Sequence, residues 1–139
     1  RNQFLKISFD GNSHMSSFRV IIYIVPTVLL VAFSQVILKW RITVYGDFPS
    51  DNWERAMFLI KALMDPYIVS GIVAAFIGSL TWMVAISKVP LNVGFPAYYG
   101  LTFVLVISCS IWLLNEPITS LKLIGVGLIL FGVIVGSMG

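Results

Sequence analysis

Four long apolar runs, each closed by a helix breaker, leave this chain few ways to fold. The first extends from about Phe18 to Trp40, the second from Pro66 to Ser87, the third from Leu91 to Asn115 and the fourth from Leu121 onward. Gly46 and Pro49 punctuate the first break, Pro90 the second and Pro117 the third. Proline lacks a backbone donor and clashes with the preceding turn, so helices stop at or near it. A bilayer core is crossed by about 20 apolar residues in helical form. There the backbone must satisfy its own hydrogen bonds, within a helix or a closed barrel. Barrel strands would read as short alternating segments, which the sequence lacks. The expected fold is all-α: an integral membrane bundle of four transmembrane helices over about residues 18–40, 66–87, 91–115 and 121–138. The second and third breaks are only a few residues long, which predicts that the last three spans are antiparallel neighbours.

Composition narrows the function. Of 139 residues, 58% are apolar and 11% charged, against about 45–50% and about 25% in soluble domains. Mean hydropathy is +0.96. A soluble domain, a disordered chain and a nucleic-acid-binding arm are excluded. The formal charge of +3 reads as lysines and arginines flanking the spans rather than a nucleic-acid surface. One cysteine, Cys109, and one histidine, His14, cannot supply an internal disulfide or a metal centre, and no cofactor is expected. No nucleophile, base and orienting group can be assembled, so the chain does not read as an enzyme. Residues 1–14 close on Ser13-His14 before Met15 and read as an expression-tag remnant, leaving 15–139 as one four-helix domain.

Between the first two runs, Asp51-Asn52-Trp53-Glu54 has the form of a capping box. After it, Trp53, Ala56, Met57, Ile60, Leu63 and Met64 share one helical face, while Glu54, Lys61 and Asp65 share another. A stretch this short predicts an amphipathic helix over about 51–64, lying in the membrane interface. The alternative is an extension of the second span. Lys39, Arg41, Arg55, Lys61 and Lys122 fall on one side of the membrane, and Arg19 and Lys88 on the other. With Arg1 and Lys6 counted, the balance does not fix the orientation.

Polar residues within the spans are the candidate site. Gln35 and Lys39 are four apart and share a helix face. Either Lys39 snorkels to the headgroups or it points inward and pairs with an anion. Glu116 is an end-cap charge, a proton carrier or the counter-ion of Lys39. The third run opens Pro90-Leu91-Asn92-Val93-Gly94-Phe95-Pro96-Ala97-Tyr98-Tyr99-Gly100. Pro90, Gly94 and Pro96 predict a bent or locally broken helix, a feature that marks substrate sites in transporters, and Pro117 a further turn. Tyr98 and Tyr99 line such a site or form an interfacial belt. Trp82, at mid-span, faces a cavity or packs in the core. Gly125, Gly132 and Gly136 form a small-residue stripe that packs within the chain or against a second subunit. Four thin helices hardly enclose a pathway, so a dimer is expected.

These residues carry a resemblance. Val89-Pro90-Leu91-Asn92, Phe95-Pro96-Ala97-Tyr98, Leu114-Asn115-Glu116-Pro117-Ile118-Thr119 and Lys122-x-Ile124-Gly125-x-x-Leu128-Ile129-x-x-Gly132-Val133, with Ser34-Gln35-x-x-Leu38-Lys39 in the first run, cover most of 19–139. Together they resemble the four-helix modules of the drug/metabolite transporter superfamily. Within it, the small multidrug resistance exporters depend on a glutamate eight residues before a lysine. Aligned on Lys39 that position is Val31, and no carboxylate lies between Arg19 and Arg41. The chain is more similar to the flippase subunits that move aminoarabinose linked to phosphoundecaprenol across the bacterial inner membrane. That resemblance implies a multi-pass inner-membrane translocator, working as a homodimer or with a paralogue, whose cargo is a lipid-linked sugar. It implies Lys39 for the phosphate, Gln35 for sugar hydroxyls, and Trp82, Tyr98, Tyr99 and Glu116 around the headgroup. The alternative is a proton-coupled exporter of small cationic solutes, and a third reading is an accessory subunit without transport of its own.

Overall fold

The computed structural model describes the backbone of residues 17–137; the suspected tag remnant lies outside the described residues. Five helices follow: α1 (Ser17–Tyr45), α2 (Asn52–Leu63), α3 (Pro66–Lys88), α4 (Leu91–Leu114) and α5 (Ser120–Ser137). α1, α3 and α4 are long and apolar enough to cross a membrane, and α5 is a shorter apolar helix. At 18 residues, α5 measures about 27 Å, just under the roughly 30 Å of a hydrocarbon core. The expected fourth span is therefore present as an apolar helix at the short end of spanning length, and three helices rather than four are long enough to cross outright. Large apolar side chains such as Phe33, Phe76, Met83, Trp112, Leu128 and Phe131 are exposed on these helices. Such a surface is stable in lipid and not in water, and the chain is a multi-pass membrane protein.

α1 continues beyond Trp40, where the first apolar run ends, to Tyr45. Gly46, with φ +87°, closes it. Asp51 caps α2, its carboxylate accepting the Trp53 amide at 3.1 Å. Glu54 stands in the first turn and Lys61 in the last, as the macrodipole favours. A separate α2 corrects the alternative of one helix extending α3. Phe58 turns inward against Tyr45 and Phe48 and Ala62 is buried, while Trp53, Met57, Ile60 and Met64 remain exposed as one stripe.

Packing puts α1 at the centre. α1 meets α3 along its length and α4 next, and α5 packs on α4. The close approaches give directions. Gly71 faces Ile37 and Leu38, Gly78 faces Val31, and Gly94 faces Ile24, so α3 runs antiparallel to α1 and α4 runs parallel to it. Gly100 faces Val133 and Leu130 of α5. The helices thus stand in the order α3, α1, α4, α5. The last three helices are successively antiparallel and α4 and α5 are neighbours as expected, but α3 and α4 meet only slightly, which corrects the expectation that a short connection makes them neighbours too. The two-residue turn Val89–Pro90 holds their ends together, but α1 occupies the seam between them.

A polar clamp fixes α1 to the head of α3. Asp65 caps α3, accepting the Tyr67 amide at 2.9 Å, with Pro66 following at the first helical position. Its other oxygen accepts from Arg41 Nε at 2.6 Å and from Tyr45 Oη at 2.9 Å. The carboxylate is nearly sealed, its side chain 2% exposed. The Arg41 guanidinium lies over Tyr67, Tyr45 and Trp40 at 5.1, 5.7 and 5.9 Å from the ring centres. Desolvation pushes the Asp65 carboxyl up, but the hydrogen bonds from Arg41, Tyr45 and the Tyr67 amide outweigh it and hold the group below its ordinary 3.8. A lowered native value stabilises the fold above the ordinary range, and that contribution is lost as pH falls through the native value. Asp65→Asn is therefore expected to melt several degrees lower than the parent in detergent at pH 7. The gap should close only as the pH is brought below about 4. A gap that is unchanged at pH 3, read by thermal melting, would show that the charge of Asp65 contributes nothing.

Candidate functional site

A cavity of about 240 Å³ lies between α1, α3 and α4. Its α4 wall is Phe95, Tyr98 and Tyr99, and its other walls include Trp82, Val31, Thr27 and Ser79. The rings touch one another: Trp82 to Tyr98 at 4.8 Å, Phe95 to Tyr99 at 4.6 Å, and Tyr98 to Tyr99 at 5.1 Å between centres. Four aromatic side chains and the hydroxyls of Thr27 and Ser79 give the lining both apolar faces and hydrogen-bonding groups. The space equals that of about eight waters at roughly 30 Å³ each. No acidic or basic side chain lines it. Trp82 faces this cavity and also packs against the buried cluster of Val20, Ile24, Val28 and Val89, so its two sequence readings hold together.

From the cavity a row of side chains winds up α1. Thr27, Val31, Gln35 and Lys39 are spaced four apart, and Val31 to Lys39 spans about 12 Å along the axis. Gln35 is exposed and lies between the cavity and the lysine. At the far end, Lys39 Nζ stands 3.5 Å from Glu116 Oε1, with the two side chains 60% and 44% exposed. The structure thus sets Glu116 beside Lys39 as its ion-pair partner. The other Glu116 oxygen is held by the Ser110 hydroxyl. Asn115, in the left-handed region at φ +50°, turns the chain out of α4, and the Glu116 amide reaches back to the Ser110 carbonyl at 3.3 Å. The Ser110 hydroxyl foremost, then Lys39 and Lys122, hold the Glu116 carboxyl below its ordinary range against desolvation.

The predicted break in the third run does not form. α4 is continuous from Leu91 to Leu114 with Pro96 inside it. Pro96 forfeits one bond, to the Asn92 carbonyl, near the helix start, and neighbouring turns carry the helix past it. Gly94 serves close packing instead, since a Cβ there would sit 3.2 Å from Val89. Pro90 and Pro117 lie in the connecting turns. Among the described residues, a Cβ at Gly125, Gly132 or Gly136 would meet nothing within 4 Å, so no described helix packs on this stripe.

Three features escaped the sequence reading. Gly71 and Gly78 are the glycines that bring α1 and α3 together, and their spacing of seven is a readable signal. Asp65-Pro66 is an N-cap followed by a proline at the first helical position, a recognisable helix start. Thr27 and Thr81 join α1 to α3 by a 2.8 Å hydrogen bond, and nothing local announces that pairing. Among the described residues no group of three His, Cys, Asp or Glu could hold a metal.

Comparison with known proteins decides the family. The chain is 31% identical over 115 residues to the probable 4-amino-4-deoxy-L-arabinose-phosphoundecaprenol flippase subunit ArnF of Photorhabdus laumondii, covering 77% of this chain and 87% of that one. The chain belongs to this family of flippase subunits. The ArnF subunit of Pseudomonas fluorescens is 30% identical over 126 residues, covering 86% of this chain and 88% of its own. The probable ArnE subunit of Serratia proteamaculans is 24% identical over 114 residues, covering 79% and 98%. No family model and no solved structure matches the chain.

Proposed function

We propose that this chain is a subunit of an inner-membrane flippase for a polyprenyl-phosphate-linked sugar, with α5 serving as a fourth crossing and α2 lying in the interface. It acts as a transporter and not as an enzyme. The observation that carries this reading is the α1 row, which leads from an uncharged aromatic cavity to an exposed ammonium. The sugar fits the cavity, Gln35 meets its hydroxyls on the way, and Lys39 takes the phosphate. The isoprenoid tail stays in lipid beside the exposed helices, so no closed channel is needed. Alternating exposure of the groove between α1, α3 and α4 moves the headgroup. Val31 in the cavity wall favours this over cation export, since a carboxylate there would repel a phosphate.

The relatives are named as subunits of two kinds, ArnF and ArnE. A partner of the same fold, a paralogue or a second copy, accounts for the open glycine stripe of α5. The test is reconstitution in liposomes, alone and with a paralogue from the same genome, following transfer of a fluorescent polyprenyl-phosphate sugar between leaflets. Accelerated transfer is expected, with lipophilic cations not carried. Proton release on adding cations, absent in Glu116→Gln, would favour the exporter instead. A stable complex with a larger membrane enzyme and no transfer in liposomes would make the chain an accessory subunit.

A further inference from the structure

The two ion pairs among the described residues differ in kind. Arg41 and Asp65 approach to 2.6 Å, with the carboxylate sealed and bound by a second side chain and an amide. That pair is a strut. Lys39 and Glu116 stand 3.5 Å apart on half-exposed side chains. Glu116 is held more firmly elsewhere, by the Ser110 hydroxyl through its other oxygen and by the turn at Asn115 through its backbone. It can leave the ammonium without losing its own position, and Lys122 lies close enough to act on its charge. A weak pair between an anchored carboxylate and a free-ended lysine has the form of a seat kept occupied.

We propose that Glu116 holds the place of the cargo's phosphate on Lys39, and that the headgroup enters by displacing it. This rests on the flippase reading above and adds the exchange. The swap leaves an anion on Lys39 at every stage, so the lysine is never stranded unpaired at the membrane boundary, where lone charge is costly. A phosphate carries more charge and more acceptor oxygens than a carboxylate and wins the exchange. Displacement has a structural consequence. The Lys39–Glu116 pair ties α1 to the α4–α5 turn, while α1 and α3 remain joined by Gly71, Gly78, Thr27–Thr81 and the Asp65 clamp. The cavity lies across that same division, with Phe95, Tyr98 and Tyr99 on α4 and the rest on α1 and α3. Cargo arriving at Lys39 thus removes the ionic tie between α1 and the α4–α5 turn, while the apolar packing of α4 on α1 stays in place.

The test is titration of the full chain in detergent with undecaprenyl phosphate, followed by native mass spectrometry, for the parent, Glu116→Gln, Lys39→Ala and the double variant. Removing the competitor is expected to tighten binding about two- to fivefold, the scale of a half-exposed ion pair. The gain should vanish when Lys39 is also removed. Glu116→Asp, which keeps the charge and shortens its reach, should give a smaller gain in the same direction and guards against a misfolded Gln variant. Unchanged or weaker binding by both Glu116 variants overturns the exchange while leaving the flippase reading intact, provided Lys39→Ala still loses the lipid. A gain that survives without Lys39 also overturns it, since Glu116 would then act as a general repulsive charge. Binding by none of the proteins overturns the exchange and the flippase reading together.

Discussion

Lys39→Ala is expected to lower transfer of a polyprenyl-phosphate sugar by about a hundredfold or more, with helix content unchanged. A hydrogen bond to a charged group contributes about 1.5–3 kcal/mol, which is roughly ten- to hundredfold in affinity, and the route loses its only exposed cation on the α1 row as well. The fold should tolerate the change. Lys39 is exposed, its partner Glu116 keeps Ser110, and the α1–α3 interface is built from Gly71, Gly78 and the Asp65 clamp. Lys39→Arg should retain part of the transfer, because a guanidinium also binds phosphate, in a forked geometry. Lys39→Glu should be as poor as Ala or worse. The measurement is initial transfer rate in liposomes, with circular dichroism and detergent melting as controls. Normal transfer by Lys39→Ala sinks the phosphate clamp and moves attention to Gln35 and the cavity rings.

The helices were legible because lipid simplifies the code. Apolar runs bounded by Pro90, Pro117 and Gly46 predict the long helices to within a few residues, and the Asp51 cap marks the start of α2. What failed was neighbourhood. A short turn suggests that α3 and α4 lie side by side, but the decision belongs to Gly71 and Gly78, which let α1 pack closely along α3. Pro96 and Gly94 carried the same lesson: residues that read as a break near a helix start are absorbed when close packing holds the turn.

For the site, the residue types were readable and their grouping was not. Lys39 and Glu116 stood out because charge is scarce in this chain, yet 77 residues of sequence separate them and only the row order α3, α1, α4 brings them together. Trp82, Tyr98 and Tyr99 were candidates on separate grounds, and the cavity unites them. In sequence Arg41 reads as a flanking charge and Asp65 as part of the polar face of α2. Their sealed geometry depends on α1 running five residues beyond its apolar stretch, which hydropathy cannot reveal.

Glycines of the two kinds should separate cleanly under the same substitution. At Gly71 an added Cβ would sit 2.7 Å from Ile37 Cγ2 and 3.2 Å from Leu38 Cγ, and Ile37 is β-branched and cannot swing aside cheaply. Gly71→Leu is therefore expected to drive α3 off α1 and destabilise the chain by about 1–3 kcal/mol or more from overpacking, against roughly 1 kcal/mol regained in helix propensity. The aromatic cavity and the Asp65 clamp both span that interface, so transfer should be lost along with stability. At Gly132 the same side chain would enter open space. Gly132→Leu should leave the melting of the single chain unchanged or slightly raised, since leucine is the better helix former. Any loss should be confined to association, because bulk on a small-residue stripe holds helices of two subunits apart. Detergent melting of diluted protein, paired with mass measurement by light scattering, reads the two effects separately. If Gly132→Leu melts as low as Gly71→Leu at concentrations where only single chains are present, the stripe is part of the monomer core. If it changes neither melting nor association, the stripe faces lipid alone and the subunit contact lies on another face.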